Sequence, residues 1–318
     1  IVLATADGGK TLASGRYQRQ VISHHTHAPL LEVIQSGVES GVFSSQLHGM
    51  EHFWPPAIMA ASRTDNTVAD WLRDAPAART EDLPAPLQSR WVDASSLPSR
   101  PLSAEAIQQA VREETGEFRE LFGHSPVVAV PPTFIWNADV EHAWAASGVS
   151  VIVTPGARYE SRDANGRPAG RGERLYNGQP GDGNVIYLVR DVYFEPAFGH
   201  TGEQALAALA DRTELGRPAL FETHRFNFLG AGEDRDRSMT ELSRLLQLAV
   251  QRFPAVAFMS SGELARIITQ RPPEWIERRW RRRVHVWLSR LGRVPRLRKL
   301  GWLSGWMLPA GLLWRMSA

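Results

Sequence analysis

The sequence predicts an α/β fold built on a mainly parallel sheet, either a barrel or a doubly wound sheet. Short, β-rich and mostly apolar runs alternate with longer amphipathic stretches, which is the pattern of repeated strand–helix units. Strands buried on both faces are typically apolar over their whole length. The strand-like runs are IVLATA, GVFSSQLH, PVVAVPP, VSVIVTPG, NVIYLVRD, RPALFETH and AVAFMSS.

Four stretches between these runs have the periodicity of amphipathic helices. They are PLLEVIQSGVESG, SAEAIQQAVREETGEFRELFG, ADVEHAWAASG and SMTELSRLLQLAVQRF. Ser103 is suited to cap the start of the second helix. Two segments interrupt the alternation. Residues 74–101 are rich in Pro, Ala and Asp and predict a loop, and the glycine-rich residues 156–184 predict a long excursion near a functional face.

Composition excludes some kinds of site. The chain has no cysteine, which excludes disulfides and thiolate metal sites, so a transition metal would need His, Asp or Glu ligands. From Glu274 onward there are 11 Lys or Arg and 2 Asp or Glu, a balance of +9, whereas the preceding residues have a balance of −7. Because the body is acidic, we expect no nucleic acid as a partner.

Polar and aromatic residues follow several of the predicted strands. In barrels and open α/β sheets the chemistry lies at the carboxyl ends of the strands. We therefore expect these residues to form one site at one edge of the sheet. They are His48 and His52 after GVFSSQL, Pro132, Trp136 and Asn137 after PVVAV, Asp191 after NVIYLV, and His224, Arg225 and Asn227 after RPALFET.

His48 and His52 form an HxxxH motif directly after a strand-like run. Two imidazoles four residues apart can converge on one cation, and Zn²⁺ accepts such nitrogen ligands. Gly49 allows an abrupt turn that brings His52 beside His48. The alternative interpretation is a pair of surface or capping histidines. We predict one divalent cation, Zn²⁺, at this pair.

Three motifs together resemble the polysaccharide deacetylases and their relatives in the glycoside hydrolase/deacetylase superfamily. LHGMEH is similar to the metal-binding HxxxH of that family, VPPTFIWN to its groove-wall loop, and FETHRFNF to its late strand with a catalytic histidine. The resemblance spans residues 1–270. It implies a (β/α) barrel over residues 1–271, distorted or with an incomplete set of seven strands, and a carbohydrate substrate.

The resemblance also implies roles for the residues at the strand ends. In such deacetylases a metal held by one Asp and two His polarises an amide carbonyl and a water, a carboxylate is the base, and a late His protonates the leaving amine. His224 matches the acid. Asp191 is the base or orients the histidine, with Glu195 as a similar candidate, and Glu222 is expected to face the same way as His224. The residues expected to bind substrate are Arg225, Asn227, Pro132, Trp136 and Asn137.

One part of the family pattern is absent, because no Asp-Asp pair ends an opening strand. We expect IVLATA to be the second strand and the third metal ligand to lie upstream of Ile1, with Asp7 as the alternative. His224 is expected in the same pocket as His48 and His52. The sequence thus favours a metal-dependent hydrolase that removes N-acetyl groups from a polysaccharide or glycan precursor. The alternatives are a non-catalytic carbohydrate-binding or assembly protein and a related glycoside hydrolase that uses paired carboxylates.

The last segment, residues 272–318, interleaves Arg with Trp, Leu and Val at helical spacing. This pattern is typical of an interfacial amphipathic segment attracted to anionic lipid headgroups. We therefore predict that residues 274–318 bind an anionic membrane surface and that the protein is cytoplasmic and peripheral to the membrane. The alternative is a pair of terminal helices packed on the acidic body.

Overall fold

A computed structural model describes residues 1–170, 172–229 and 232–317. The chain forms two compact units. Unit 1 comprises Ile1–Val189 and Ser260–Ala265, and unit 2 comprises Arg190–Met259 and Arg266–Ala318. The domain boundary predicted between residues 271 and 272 falls inside unit 2 and stays a prediction.

The fold is mixed α/β, as predicted. The helices that begin in unit 1 are Gly8–Ser14, Ala28–Glu39, Pro55–Ala61, Asn66–Asp74, Ala104–Phe122, Ala138–Ala146 and Ser261–Gln270, the last of which ends in unit 2. The other helices of unit 2 are Gly202–Glu214, Glu233–Arg252, Trp280–Gly292, Pro295–Leu303 and Met307–Ser317. All four helices predicted from periodicity are present, and Ser103 caps Ala104–Phe122 by accepting from the Ala106 amide.

The strands are short. In unit 1 they are Ala4–Ala6, Arg19–Val21, Val92–Asp93, Arg100–Pro101, Val128–Ala129, Val151–Thr154, Ala157–Arg158, Ser161–Arg162, Pro168–Ala169, Glu173–Arg174 and Ile186–Val189. In unit 2 they are Val192–Tyr193 and Phe221–Glu222, which pair in parallel. Short antiparallel strand pairs therefore occur in the predicted loop, residues 74–101, and in the predicted excursion, residues 156–184.

A parallel sheet organises unit 1. Val128–Ala129 pairs with Val151–Thr154, which pairs with Ile186–Val189. Leu47 extends this sheet through a parallel bridge to Ala129. The His48 amide in turn donates to the Ile1 carbonyl at 2.8 Å, which places the first residues next along the same edge. Five successive parallel segments therefore point their carboxyl ends the same way.

The predicted barrel is not confirmed, since the sheets formed by the described residues are separate and none of them closes. Several of the predicted strands account for the difference. In the described structure GVFSSQLH contributes a single bridge at Leu47, and IVLATA contributes Ala4–Ala6, which pairs antiparallel with Arg19–Val21. AVAFMSS forms no strand in the described structure, and RPALFETH contributes only Phe221–Glu222, which pairs within unit 2. Proline residues border several strands, and proline cannot donate to a strand ladder. The central sheet of unit 1 is parallel, as predicted, but its strands are too short to form the continuous sheet of a barrel.

Each unit has its own apolar core. In unit 1 the helix Ala104–Phe122 turns Ile107, Val111 and Phe118 inward, at the spacing of one helical face. They pack with Trp136 and Trp144 from the segment after Val128–Ala129. The core of unit 2 joins helices Gly202–Glu214 and Glu233–Arg252 through a smaller cluster. Its buried members are Phe194, Ala205, Leu206, Leu245 and Ala249.

The segment after residue 274 is helical, and its first helix, Trp280–Gly292, contacts other parts of unit 2. Arg290 donates to the carbonyls of Leu215 and Gly216 at 2.8 and 2.9 Å, just beyond the end of Gly202–Glu214. Arg293 pairs with Asp211 and with Glu214. Among the described residues, no helix combines the length and apolar character that crossing a membrane requires.

Candidate functional site

The two histidines of the HxxxH motif lie side by side in unit 1. Their ring centroids are 4.9 Å apart, at an interplanar angle of 72°. His48 Nδ1 lies 2.7 Å from the Val130 carbonyl, and His52 Nδ1 lies 3.0 Å from the Gln88 carbonyl. Because a carbonyl only accepts, each Nδ1 donates a proton to it. Histidines that bind a metal through Nε2 commonly make this bond with their other ring nitrogen.

Gly49 makes the turn between the two histidines. Its φ of 92° lies in the left-handed region. A Cβ at this position would lie 2.8 Å from the Glu51 carbonyl oxygen and 3.4 Å from Pro132 Cγ. Since the backbone oxygen cannot move aside cheaply, the close turn that sets His52 beside His48 requires glycine. The sequence-based prediction about this turn is confirmed.

A buried charge cluster lies beneath the same turn. The carboxylates of Glu51 and Glu114 and the guanidinium of Arg90 are almost completely shielded from solvent. Arg90 Nη1 lies 2.5 Å from Glu51 Oε2, and Arg90 Nε lies 3.5 Å from Glu114 Oε2. Glu114 also accepts from the Met50 amide at 3.0 Å, and burial raises its pKa. The cluster therefore fixes both the side chain and the backbone of the HxxxH turn.

The loop after Val128–Ala129 is strained. Thr133 and Phe134 have φ values of 53° and 56°, a conformation that costs a non-glycine residue roughly 1–2 kcal/mol. Thr133 Oγ1 is held 3.1 Å from Ser89 Oγ, and Arg162 Nε donates to that same serine at 2.8 Å. Strain of this kind is often retained at functional sites. Here it lies beside the carbonyl of Val130 that orients His48.

The predicted substrate-binding residues of this loop are packed rather than open. Trp136 is fully buried, and its indole donates to Glu141 at 2.6 Å, so neither ring face is available to a sugar. Asn137 caps Ala138–Ala146 by accepting from the Val140 amide at 3.2 Å. Pro132 is buried beside the turn. In the structure these side chains pack in the interior or cap a helix. Their contact with substrate stays a prediction.

No third metal ligand joins the histidine pair within the part of the chain that the structure describes, because no group of three or more His, Asp or Glu side chains is arranged to hold an ion. Asp7 is committed elsewhere. It caps Gly8–Ser14 by accepting from the Lys10 amide at 3.0 Å and pairs with the Lys10 ammonium at 2.9 Å. The hydrogen bond that the Lys10 amide donates to Asp7 lowers the pKa of this carboxyl group.

A second group of functional side chains lies in unit 2, at the ends of its two strands. Glu195 follows Val192–Tyr193, and His224 follows Phe221–Glu222. His224 Nδ1 lies 2.6 Å from Glu195 Oε1, and the His224 amide donates to Glu195 Oε2 at 3.3 Å. The carboxylate is buried, whereas the imidazole is 53% exposed. This is a carboxylate–histidine pair whose imidazole is about half exposed.

Glu222 lies on the other side of the same imidazole. Its Oε1 is 3.7 Å from His224 Nε2 and 3.0 Å from Arg190 Nη2. Its Oε2 is buried and has no hydrogen-bond partner among the described residues. Two buried carboxylates therefore contact opposite nitrogens of one exposed histidine, as the predicted orientation of Glu222 toward His224 requires.

The other predicted residues of unit 2 take different positions. Asn227 is buried, donates to Glu195 and accepts from the Ala197 amide at 3.0 Å, so it holds the carboxylate in place. Asp191 pairs with Arg212 and accepts from the Leu220 amide at 3.4 Å. Arg225 is exposed. Of the two carboxylates considered as histidine orienters, Glu195 is the one that reaches His224.

Exposed aromatic rings surround this histidine. Phe226 stacks on His224 with centroids 5.7 Å apart and an interplanar angle of 12°. Phe198 lies 5.1 Å from Phe226, and 75% of its surface is exposed. Tyr193 pairs with Glu222 in the sheet and is also exposed. Exposed aromatic faces beside a carboxylate–histidine pair offer a stacking surface for a ring-shaped ligand.

His48 and His52 belong to unit 1 and His224 to unit 2, so the shared pocket that the sequence predicts stays a prediction. The sequence reasoning missed Arg90 and Glu114. A signal was present for Glu114, which occupies the same helical face as Ile107, Val111 and Phe118. A charged residue on an apolar face predicts a buried partner.

Comparison with known families gives one finding. The model of Glycosyl hydrolase family 57 matches residues 85–201. No curated protein and no solved structure matches the chain significantly. The matched segment includes Gln88 and Val130, whose carbonyls orient the two histidines of unit 1, and Glu195 of unit 2. The match supports a glycan-active hydrolase.

Proposed function

We propose that this protein is a hydrolase of glycans in which His224 exchanges protons with the reacting group and Glu195 orients it. The observation that carries the proposal is the 2.6 Å contact between the buried Glu195 carboxylate and the exposed imidazole. A carboxylate that accepts the Nδ1 proton fixes the tautomer and stabilises the imidazolium that forms when Nε2 takes up a proton. The exposed rings of Phe198 and Phe226 provide a face for sugar rings.

A glycosidic bond is the bond that this arrangement and the family match favour. Glycoside hydrolysis uses two carboxyl groups, one to donate a proton and one to act as base or nucleophile. Glu195 and Glu222 are the carboxyl groups nearest His224. In this proposal the oriented His224 takes the part of the proton-transferring group, and Glu222 supplies the second group, the carboxylate.

Removal of acyl groups from an amino sugar is the second candidate, favoured by His48 and His52. Both imidazoles donate Nδ1–H to a backbone carbonyl, as metal-ligating histidines commonly do with their other ring nitrogen. The pair supplies two nitrogen ligands of the kind that Zn²⁺ accepts. When bound, the ion would act as a Lewis acid toward a carbonyl or water.

The two reactions are distinguished by their products. The full chain is incubated with neutral and with N-acetylated oligosaccharides, and new reducing ends and free acetate are measured in parallel. New reducing ends without acetate are the expected result. Release of acetate alone would support the second candidate. Saturable carbohydrate binding without either product would overturn the proposal in favour of a non-catalytic carbohydrate-binding protein.

On the second candidate we expect weak binding of Zn²⁺, because two imidazoles seldom hold the ion alone, and a further loss of at least tenfold in affinity in the H48A and H52A variants. Calorimetric titration with zinc measures this directly. H25A is the matched control, since His25 lies in the exposed 3-10 turn His25–His27. Equal affinity in H48A and the unmodified chain would contradict the assignment.

A further inference from the structure

The tryptophans of this chain divide into two groups. Of those before residue 150, Trp71, Trp91, Trp136 and Trp144 are buried and Trp54 is half-buried. All those after residue 270 are exposed, from 39% for Trp314 to 69% for Trp306. They are Trp275, Trp280, Trp287, Trp302, Trp306 and Trp314. Large aromatic residues exposed in such numbers indicate a surface that another phase or partner covers.

Among the described residues, the first terminal helix, Trp280–Gly292, makes hydrogen bonds to the rest of unit 2. Trp280–Gly292 contacts the chain after Gly202–Glu214 through Arg290, and a Cβ on Gly216 would lie 3.3 Å from Val286 Cγ1. The same helix holds Met307–Ser317, because Trp314 stacks on His285 at 4.7 Å and donates to Ser289 at 2.8 Å.

The other two helices present their apolar sides to solvent. On Pro295–Leu303, Leu297, Leu300 and Leu303 are spaced three residues apart and are 45–76% exposed. On Met307–Ser317, exposed Leu308, Leu312 and Met316 are spaced four apart. Such spacings place the residues of each helix on one face. An apolar stripe that normally faces a core is here left uncovered.

Basic side chains accompany the uncovered stripes. Arg296, Arg298 and Lys299 are exposed on Pro295–Leu303, in contrast to Arg290 and Arg293, which bond within unit 2. By helical spacing Arg298 lies opposite the leucine stripe of Pro295–Leu303. Helices with an apolar face and Lys or Arg on the other face lie in the plane of the membrane interface. Tryptophan prefers the headgroup level.

We propose that Pro295–Leu303 and Met307–Ser317 bind the surface of an anionic lipid bilayer, with their leucines inserted among the acyl chains and Arg296, Arg298 and Lys299 at the headgroups. Charge complementarity selects this occupant over a second copy of the chain. Two copies meeting through this surface would bring together segments that each carry a balance of +9, which repels. The inference is independent of the proposed function, because it rests on other residues.

Vesicle co-sedimentation of the full chain tests the proposal, with phosphatidylcholine vesicles that contain or lack phosphatidylserine. We expect stronger binding to the anionic vesicles, a decrease with added salt, and a residual that salt does not remove. Removing three basic residues by R296Q/R298Q/K299Q should weaken binding roughly 100-fold. The double variant L308S/L312S should abolish the vesicle binding that remains at high salt.

The control R235Q/R237Q/R244Q removes the same charge from exposed positions of Glu233–Arg252, and its binding should stay within about threefold of the unmodified chain. An equal loss in the two triple variants would show that only total charge matters and would overturn the assignment to these helices. Equal binding to both vesicle types would overturn the electrostatic part. No binding to either, with a dimer in sedimentation velocity, would assign the surface to a second copy.

Discussion

Replacement of Arg90 by methionine is expected to lower the free energy of unfolding by about 3–5 kcal/mol. Arg90 is the cation between the carboxylates of Glu51 and Glu114, and all three side chains are buried. Methionine has a similar reach but no charge, so it removes the cation beside the buried Glu114 carboxylate and leaves Glu51 with its 2.8 Å pair to Arg19. Urea unfolding followed by the fluorescence of the buried tryptophans of unit 1 measures the loss.

The size of the effect depends on burial, and an exposed pair provides the matched control. Arg100 pairs with Asp93 at 3.0 Å but is 65% exposed, so R100M should cost no more than about 1 kcal/mol. If R90M does not fold, R90K keeps the charge and should recover part of the stability. A loss in R90M no larger than that in R100M would contradict the account of the buried cluster.

The loss in R90M should also depend on pH. Burial raises the pKa of Glu114 in the folded state, and Arg90 opposes that rise, so without arginine the pKa of Glu114 should lie further above its value in the unfolded chain. A carboxyl group of this kind stabilises the folded state below its unfolded pKa and loses that contribution as the pH rises through its folded pKa. R90M should therefore be closer to the unmodified protein at pH 5 than at pH 8.

The parts of the fold that were predictable are those with a strong local signal. Val128–Ala129, Val151–Thr154 and Ile186–Val189 lie in continuous apolar runs, and their parallel pairing follows from the helices between them. AVAFMSS has the same local appearance but forms no strand in the described structure. Strand propensity expresses how well a residue fits a partly buried surface, and the partner strand is not encoded locally.

The candidate site shows the same division. The HxxxH spacing and Gly49 predicted the close approach of His48 and His52, because both are properties of one short turn. The choice between Asp191 and Glu195 was not predictable. Asp191 and Glu195 both follow the strand Ile186–Val189 within a few residues. Which of them reaches His224 depends on the position of a cation that competes for the carboxylate. Arg212 of Gly202–Glu214 engages Asp191, which leaves Glu195 for the histidine.

The largest effect on activity is expected at Glu195. E195Q should lower kcat for glycan hydrolysis about 10²- to 10⁴-fold, the contribution typical of a positioned acid–base group. Glutamine keeps the size of the side chain and can still accept from His224 Nδ1, but it cannot stabilise a positive charge on the imidazole. H224A should cause a loss of similar size, and the double variant should be little worse than either single variant, because the two groups act as a unit.

Three measurements separate this role from a structural one. The rates of product release give kcat and KM, a thermal melt reports folding, and E203Q provides a Glu-to-Gln change at an exposed ion pair with Arg244. We expect E195Q to lose kcat with KM nearly unchanged, and E203Q to behave like the unmodified protein. D191N tests the competing base, because Asp191 lies at the end of the preceding strand and bonds to Arg212. If D191N abolishes hydrolysis while E195Q retains it, the proton passes through Asp191 and the assignment of Glu195 is wrong.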